Sequence, residues 1–259
     1  MPTIPGPELP PGTVVRRPPT GTVWQFRDRR IEGVTFRGVR TPEEWLSFER
    51  TVFVDCTFER CDLQWDWGGD HEHQDDGPHL LGCRIVRCDL RNTSLPYGRI
   101  EGSTFDTCRW HSHLDAVDLV DNVFVGVVDS LSLWGRNQPL IPSIRPRSRP
   151  NEIRGNDFTA ADLRGLGLHA GVPVHDQRWP EGPGCGVVER VPERVAALRA
   201  RTEGSPDPAD QELVDAVTDW EYWDDPGNRQ QDAWLRWDDP SMPESSNRFH
   251  RALAELDLG

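Results

Sequence analysis

Apolar side chains recur at every fifth position in several blocks of the chain. They are Phe26, Ile31 and Phe36, then Phe48, Phe53, Phe58 and Leu63, then Leu80, Ile85, Leu90, Leu95, Ile100, Phe105 and Trp110. The register slips by one at Leu114, resumes at Leu119 and Phe124, and returns at Ile153, Phe158, Leu163 and Leu168. Eight of the nine phenylalanines fall on this ladder, so the spacing is not incidental. A helix requires a period near 3.6 and a half-buried strand one of 2.0, and neither gives this spacing. A chain that turns a corner every five residues and stacks on itself does.

A second ladder runs two residues ahead of the first and carries small side chains: Thr51, Cys56, Cys61, Cys83, Cys88, Thr93, Gly98, Ser103, Cys108, Val117, Asn122, Asn151, Asn156 and Ala161. One large and one small inward residue per corner suit a narrow shaft. The segments CTFERCDLQ (56–64), CRIVRCDLRN (83–92) and NDFTAADLRG (156–165) resemble the pentapeptide-repeat family, and the resemblance covers about residues 24–168. It implies an all-β solenoid, a right-handed quadrilateral β-helix of roughly five coils rising ~4.8 Å each. Residues 1–23 read as a Pro-rich disordered start, 169–186 as a Pro/Gly-rich connector, and 187–259 as an acidic, Trp-rich helical cap. The helical spacings there are Val191, Val195, Leu198, then Leu213, Val217, Trp220, then Phe249, Leu253, Leu256. Their openings fall at Pro192, at Asp207-Pro208, and at Ser246 or Asn247.

The ladder changes how the cysteines read. Their spacings do not match zinc knuckles. Cys56, Cys61, Cys83, Cys88 and Cys108 take the small inward position, where a thiol is a compact hydrophobe. With Phe53, Phe58, Leu63, Leu90 and Phe105 they form the expected structural set. Cys185 alone lies off the ladder. Consecutive corners point at different walls, which makes bridging them awkward, and the usage fits a reducing cytoplasm.

Function is expected where the period breaks, at 37–47, 64–79 and 125–152. Counting corners from Phe26 places the first two insertions on the same edge, one coil apart. Trp45, Trp65, Trp67, His71, His73, Asp75 and His79 would then share one lateral surface, and a further H-x-H, His111 and His113, follows Trp110. His71, His73, His111 and His113 suit a divalent metal, and the same imidazoles beside carboxylates suit general acid–base chemistry. The plain alternative is a solvated polar loop. No H-E-x-x-H, no Gly-rich phosphate loop and no G-x-S-x-G accompanies them. The third break holds the one basic stretch that stands out in the sequence, Arg145, Arg147, Arg149 and Arg154, suited to a phosphate or an acidic partner, including this chain's own tail, or to no more than a Pro-rich surface loop.

Charge and composition then narrow the function classes. The 259 residues carry a formal net charge of −14, and all 29 cations are arginine. Of that charge, −11 belongs to residues 202–259, with 15 acids and 4 arginines, leaving −3 on residues 1–201. A clustered cationic surface for nucleic acid is therefore not expected. No apolar run suits a membrane span, and the N-terminus has no apolar leader-like stretch. In the tail, Trp220, Trp223, Trp234 and Trp237 sit among acids, so they read as cap packing, or else, as Trp223 and Trp234, as a binding face. The family resemblance brings one known function, DNA mimicry toward DNA gyrase with resistance to topoisomerase poisons, for which a nearly neutral prism is poorly charged. The leading reading is a non-catalytic cytoplasmic binding protein with no cofactor. Its partner is a protein, a topoisomerase being one version, and a homodimer through the C-terminal region is a further expectation. The rival is an enzyme or metal-dependent small-molecule binder using the His-rich loop with His111 and His113. A third reading is an immunity or accessory protein from a natural-product cluster.

Overall fold

Two residues after most inward apolar side chains, the backbone turns left-handed. Asp28, Gly33 and Gly38 follow Phe26, Ile31 and Phe36, and Arg50, Asp55 and Arg60 follow Phe48, Phe53 and Phe58, all with φ between 46° and 63°. Gly82, Arg87, Gly102, Thr107 and Asp121 continue the series. A left-handed residue ends a strand after three or four residues and redirects the chain. This is the physical origin of the five-residue period. The structure, a computed structural model, describes residues 3–16, 23–39, 46–63, 79–91, 98–114, 116–136, 149–223 and 230–258.

The fold is mostly β, with parallel sheets. Successive strands belong to different sheets, and the chain returns to each sheet one tier higher. One wall of seven strands carries Phe36, Phe58, Ile85, Phe105 and Phe124 in register, one above another. A second wall of six strands stacks Ile31, Phe53, Leu80, Ile100, Leu119 and Ile153. A third side pairs Phe26 with Phe48 below, and Leu114 with Leu133 and Leu168 above. The fourth is held by bridges from Asp62 to Asp89 to Arg109, beside Leu63, Leu90 and Trp110. Rings lie nearly parallel along the first wall: Phe36–Phe58 at 5.0 Å, Phe105–Phe124 at 5.2 Å, Phe124–Phe158 at 4.4 Å and Phe158–Trp179 at 4.9 Å. Each buried ring contributes ~1.5–3 kcal/mol of apolar burial.

The small ladder does more than fill space. Its thiols donate to a corner carbonyl one tier below: Cys56 Sγ to Ile31 O, Cys83 Sγ to Phe53 O, Cys88 Sγ to Phe58 O and Cys108 Sγ to Ile85 O. Higher up, Asn122 Nδ2 donates to Ile100 O, Asn156 Nδ2 to Leu119 O and Gln177 Nε2 to Ile153 O. A buried polar side chain is tolerated when it is fully hydrogen-bonded, and here each one also ties two tiers together. The five ladder cysteines are free thiols in the core. Contact with Cys56 and burial both push the Cys83 thiol up, and burial pushes Cys108 up to about 12.

Several sequence expectations need correcting. Leu80 stacks on Phe53, not on Phe48, so the second insertion stands in place of a corner instead of following one. The first wall is accordingly seven strands deep, not about five. The first two insertions leave the same side one tier apart, with Asp62 N–H donating to Val39 O, but they return to neighbouring sides: Leu46–Glu49 stacks on Val23–Arg27, and His79–Leu81 on Val52–Val54. Residues 125–134, expected within an insertion, continue the coil: Val128 lies opposite Leu163 and Leu133 opposite Leu168. Phe124 to Val128 is a step of four with a register shift at Val123/Val125, which hid these corners from a five-residue ladder. The Pro-rich start, expected to be disordered, places Thr3–Pro5 beside Val23–Arg27 and Val14–Val15 beside Thr35–Arg37. These are edge strands, where proline removes no required donor. In the expected connector, Arg178 bridges Asp157 and Trp179 extends the ring stack.

The upper end is closed by helices α1 (Val191–Thr202), α2 (Pro208–Trp223) and α3 (Glu244–Glu255), with an antiparallel pair of strands, Cys185–Val188 and Ala233–Arg236. Asp207 caps α2 by accepting the Ala209 N–H at 2.8 Å, while α3 opens at Glu244 after Pro243, earlier than expected. Val191, Val195, Leu198, Leu213, Val217, Phe249 and Leu253 form this unit's core. Trp234 stacks on Trp179 at 5.8 Å. Gln230 accepts the Gly171 and Val172 N–H groups, and Asp239 accepts that of Gly165. The cap therefore satisfies backbone groups that the last tier would otherwise leave open.

Candidate functional site

The residues singled out from sequence do not converge among the described residues. Trp45, Trp65, Trp67, His71, His73 and Asp75 lie outside them. His79 occupies an outward position on the second wall, between Val52 and Arg99. His111 is exposed after Trp110, and His113 lies in the strand Ser112–Leu114. Among the described residues, no trio of His, Cys, Asp and Glu is grouped as a metal site would require. Trp223 ends α2, and its side chain lies outside the description. Trp234, considered as a binding residue, is buried against Trp179 with its Nε1 donating to Pro180 O. It packs the junction, buried except where it lines the groove between the last tier and the cap. Of the basic stretch, Arg149 forms a two-pronged pair with the buried carboxylate of Asp118, and Arg154 pairs with Glu152 and Asp121. Arg145 and Arg147 lie outside the described residues.

What the fold does assemble is a groove of about 600 Å³ where the last tier meets the cap. Its floor is Thr159, Arg178 and Trp179, its back is Trp234, and Cys185, Gly186 and Val187 border it on the cap side. The ladder continues past the paired strands with Trp237 N–H donating to Gly184 O at 2.9 Å. In an antiparallel pair this phase puts the Cys185 and Val187 side chains on the same face as that of Trp234, toward the last tier. Arg178 pairs with Asp157 at 2.7 Å, and burial raises the Cys185 thiol above its ordinary value. Outside the groove, Val123 and Val127 lie one tier below, opposite Asp157 and Asp162. Val123, Val127 and Val187 are three of the five exposed large apolar side chains among the described residues, which concentrates exposed apolar surface at this end of the wall.

The junction also carries an ion cluster. Arg164 and Arg236 flank Asp162, and Arg164 foremost holds that carboxyl below its usual range. Burial opposes ionisation of Asp239, but hydrogen bonds from Ser241 and the Gly165 N–H overcome it, so this carboxyl too lies low. His175 approaches Asp232 at 3.2 Å.

A second feature escaped the sequence reading. Most outward arginines of the coil are paired: Arg37 with Glu59, Arg50 with Asp28, Arg99 with Glu101 and Glu152, Arg178 with Asp157. Arg60, Arg84 and Arg87 are exposed and have no ion-pair partner among the described residues. Arg60 and Arg87 occupy the same corner of successive tiers, because Thr57–Glu59 pairs with Arg84–Val86. The signal was present in CTFERCDLQ and CRIVRCDLRN, whose arginines fall at the same place in the repeat.

No protein-family model matches the chain, and no curated protein matches its sequence. A solved structure of QnrB1, titled a plasmid-mediated fluoroquinolone resistance protein, is similar at 13% identity and a TM-score of 0.18 over 61% of this chain and 84% of that one. No helix among the described residues is long and apolar enough to cross a membrane.

Proposed function

We propose that the protein is a non-catalytic interaction protein, a right-handed quadrilateral β-helix of pentapeptide repeats with a helical cap, that docks a segment of a partner protein at the cap–coil groove. The observation that carries this reading is the groove at the cap–coil junction, bordered by the exposed Val187, with the exposed Val123 and Val127 one tier below it. A rigid wall holds these side chains in place, so docking orders few groups and loses little entropy. The outward charges of the coil largely neutralise one another, which disfavours an anionic DNA-like rod as the contact surface.

A gyrase-type topoisomerase is the specific partner to test first. Purified protein would be passed over immobilised gyrase, and drug-stabilised DNA cleavage would be measured with and without it. The topoisomerase version predicts saturable binding, altered cleavage, and loss of both in Val123→Arg/Val187→Arg. Absence of binding removes that version. Binding unchanged by the double substitution removes the groove.

A further inference from the structure

We infer that the corner formed by Arg60, Arg84 and Arg87 receives the acidic helical cap of a second copy of this chain, giving a two-fold dimer. The inference concerns a different surface from the groove and stands or falls separately from it. Its first support is the conformation of the arginines. Arg60 and Arg87 hold φ of 52° and 53°, where glycine is favoured, and along the same corner Gly38 lies one tier below them, Thr107 one tier above and Gly126 two tiers above. An L residue is disfavoured in this region relative to glycine, because its Cβ crowds the following carbonyl oxygen. Two guanidinium-bearing residues are thus kept at a left-handed corner that Gly38, Thr107 and Gly126 leave uncharged in the other tiers, ~4.8 Å apart by the tier spacing and without a carboxylate partner among the described residues. Arg84 opens the same strand as Val86 and widens the cationic corner to about 10 Å. Like charges placed together at a conformational cost are best explained by an anionic counterpart supplied from outside.

The counterpart is present on the chain itself. Glu203, Asp207, Asp215, Glu244 and Glu255 are exposed on the cap and have no ion-pair partner among the described residues. Residues 202–259 carry a net −11. The chain's own cap cannot serve, because it rests on the tier of Trp179. The tiers of Phe105, Phe124 and Phe158 intervene above Ile85, a rise of about 19 Å, beyond the reach of an Asp or Glu side chain. In a two-fold pair each cap meets the other copy's corner, so two equivalent contacts form and the assembly closes. The net −14 on each copy opposes association only weakly at moderate salt, where charges beyond ~8 Å are screened and contact pairs dominate.

The test is the oligomeric state of the full chain by analytical ultracentrifugation at about 0.15 M and about 0.5 M salt. A dimer that weakens with salt is expected. Arg60→Glu/Arg87→Glu should weaken association roughly tenfold or more, as should Glu203→Arg/Asp215→Arg, and combining the four should restore it. Arg60→Gly/Arg87→Gly removes the charges with a residue suited to both corners, so weakened association there, with the melting temperature kept or raised, excludes misfolding as the cause. A monomer under all conditions, a dimer indifferent to salt, a dimer unaffected by the corner substitutions, or no restoration by the charge swap would each overturn the inference.

Discussion

The Asn156 Oδ1 accepts two hydrogen bonds from Asn122, one from its backbone N–H at 3.1 Å and one from its side-chain Nδ2 at 2.9 Å. Asn156 in turn donates to Leu119 O and to Gln177 Oε1, so one buried amide links three tiers. Replacing Asn156 by Leu leaves donors and acceptors unmatched on both sides, each costing ~1–3 kcal/mol. The expected loss in urea unfolding is about 3 kcal/mol or more. A loss within error of zero would mean that the ladder does not bind the tiers.

The same ladder marks what was legible in the sequence. The inward corners and the small positions beside them were readable because apolar and small residues alternate at fixed offsets. The polar logic was harder to see, since Cys, Ser, Asn and Gln look unlike one another yet all donate to the same carbonyl. Corners at Val128 and Leu133 were hidden by a four-residue step, and the strands Cys185–Val188 and Ala233–Arg236 lie too far apart in sequence for local pattern to pair them. The groove and the arginine corner are products of stacking. Arg60 and Arg87 are 27 positions apart, and only the tier register brings them together.

Trp234 ties the cap to the coil. Trp234→Ala should destabilise the protein by about 3–5 kcal/mol and expose the last tier, with aggregation on mild heating seen by light scattering. A soluble variant with an unchanged melting temperature would show that the cap is held by other contacts.

Backbone conformation gives a prediction of opposite sign. Thr107 is β-branched yet holds φ 56°. Thr107→Gly should raise stability by about 1 kcal/mol. Gly135→Ala should lower it by more than Gly102→Ala, because a Cβ on Gly135 would meet the Gly171 backbone carbonyl at 2.5 Å, which cannot swing aside, whereas Gly102 faces open space. Equal effects at the two glycines would contradict this placement of the corners.

Burial lowers the pKa of His250, an effect only partly offset by its contact with Arg236 O. Between this lowered value and the ordinary ~6.5, the unfolded chain binds more protons than the folded one. Stability should therefore be full above pH ~6.5 and fall as the pH drops below it, by at most ~1.4 kcal/mol per unit. His250→Gln should remove that slope in pH-dependent melts.

In the native state a thiol reagent should label Cys185 alone and slowly, because burial raises its thiol, while the five ladder cysteines react only on unfolding. Mass spectrometry counts the labels, and rapid native labelling of a second site would place that cysteine outside the core.

The most direct test of the central claim is co-purification of the intact chain from the cells that make it, in parallel with Val123→Arg/Val187→Arg. The account predicts a protein partner at near-stoichiometric yield with the unaltered chain and its loss from the variant, whose folding is checked by an unchanged melting temperature. The same proteins recovered with both chains, or none with either, would contradict it.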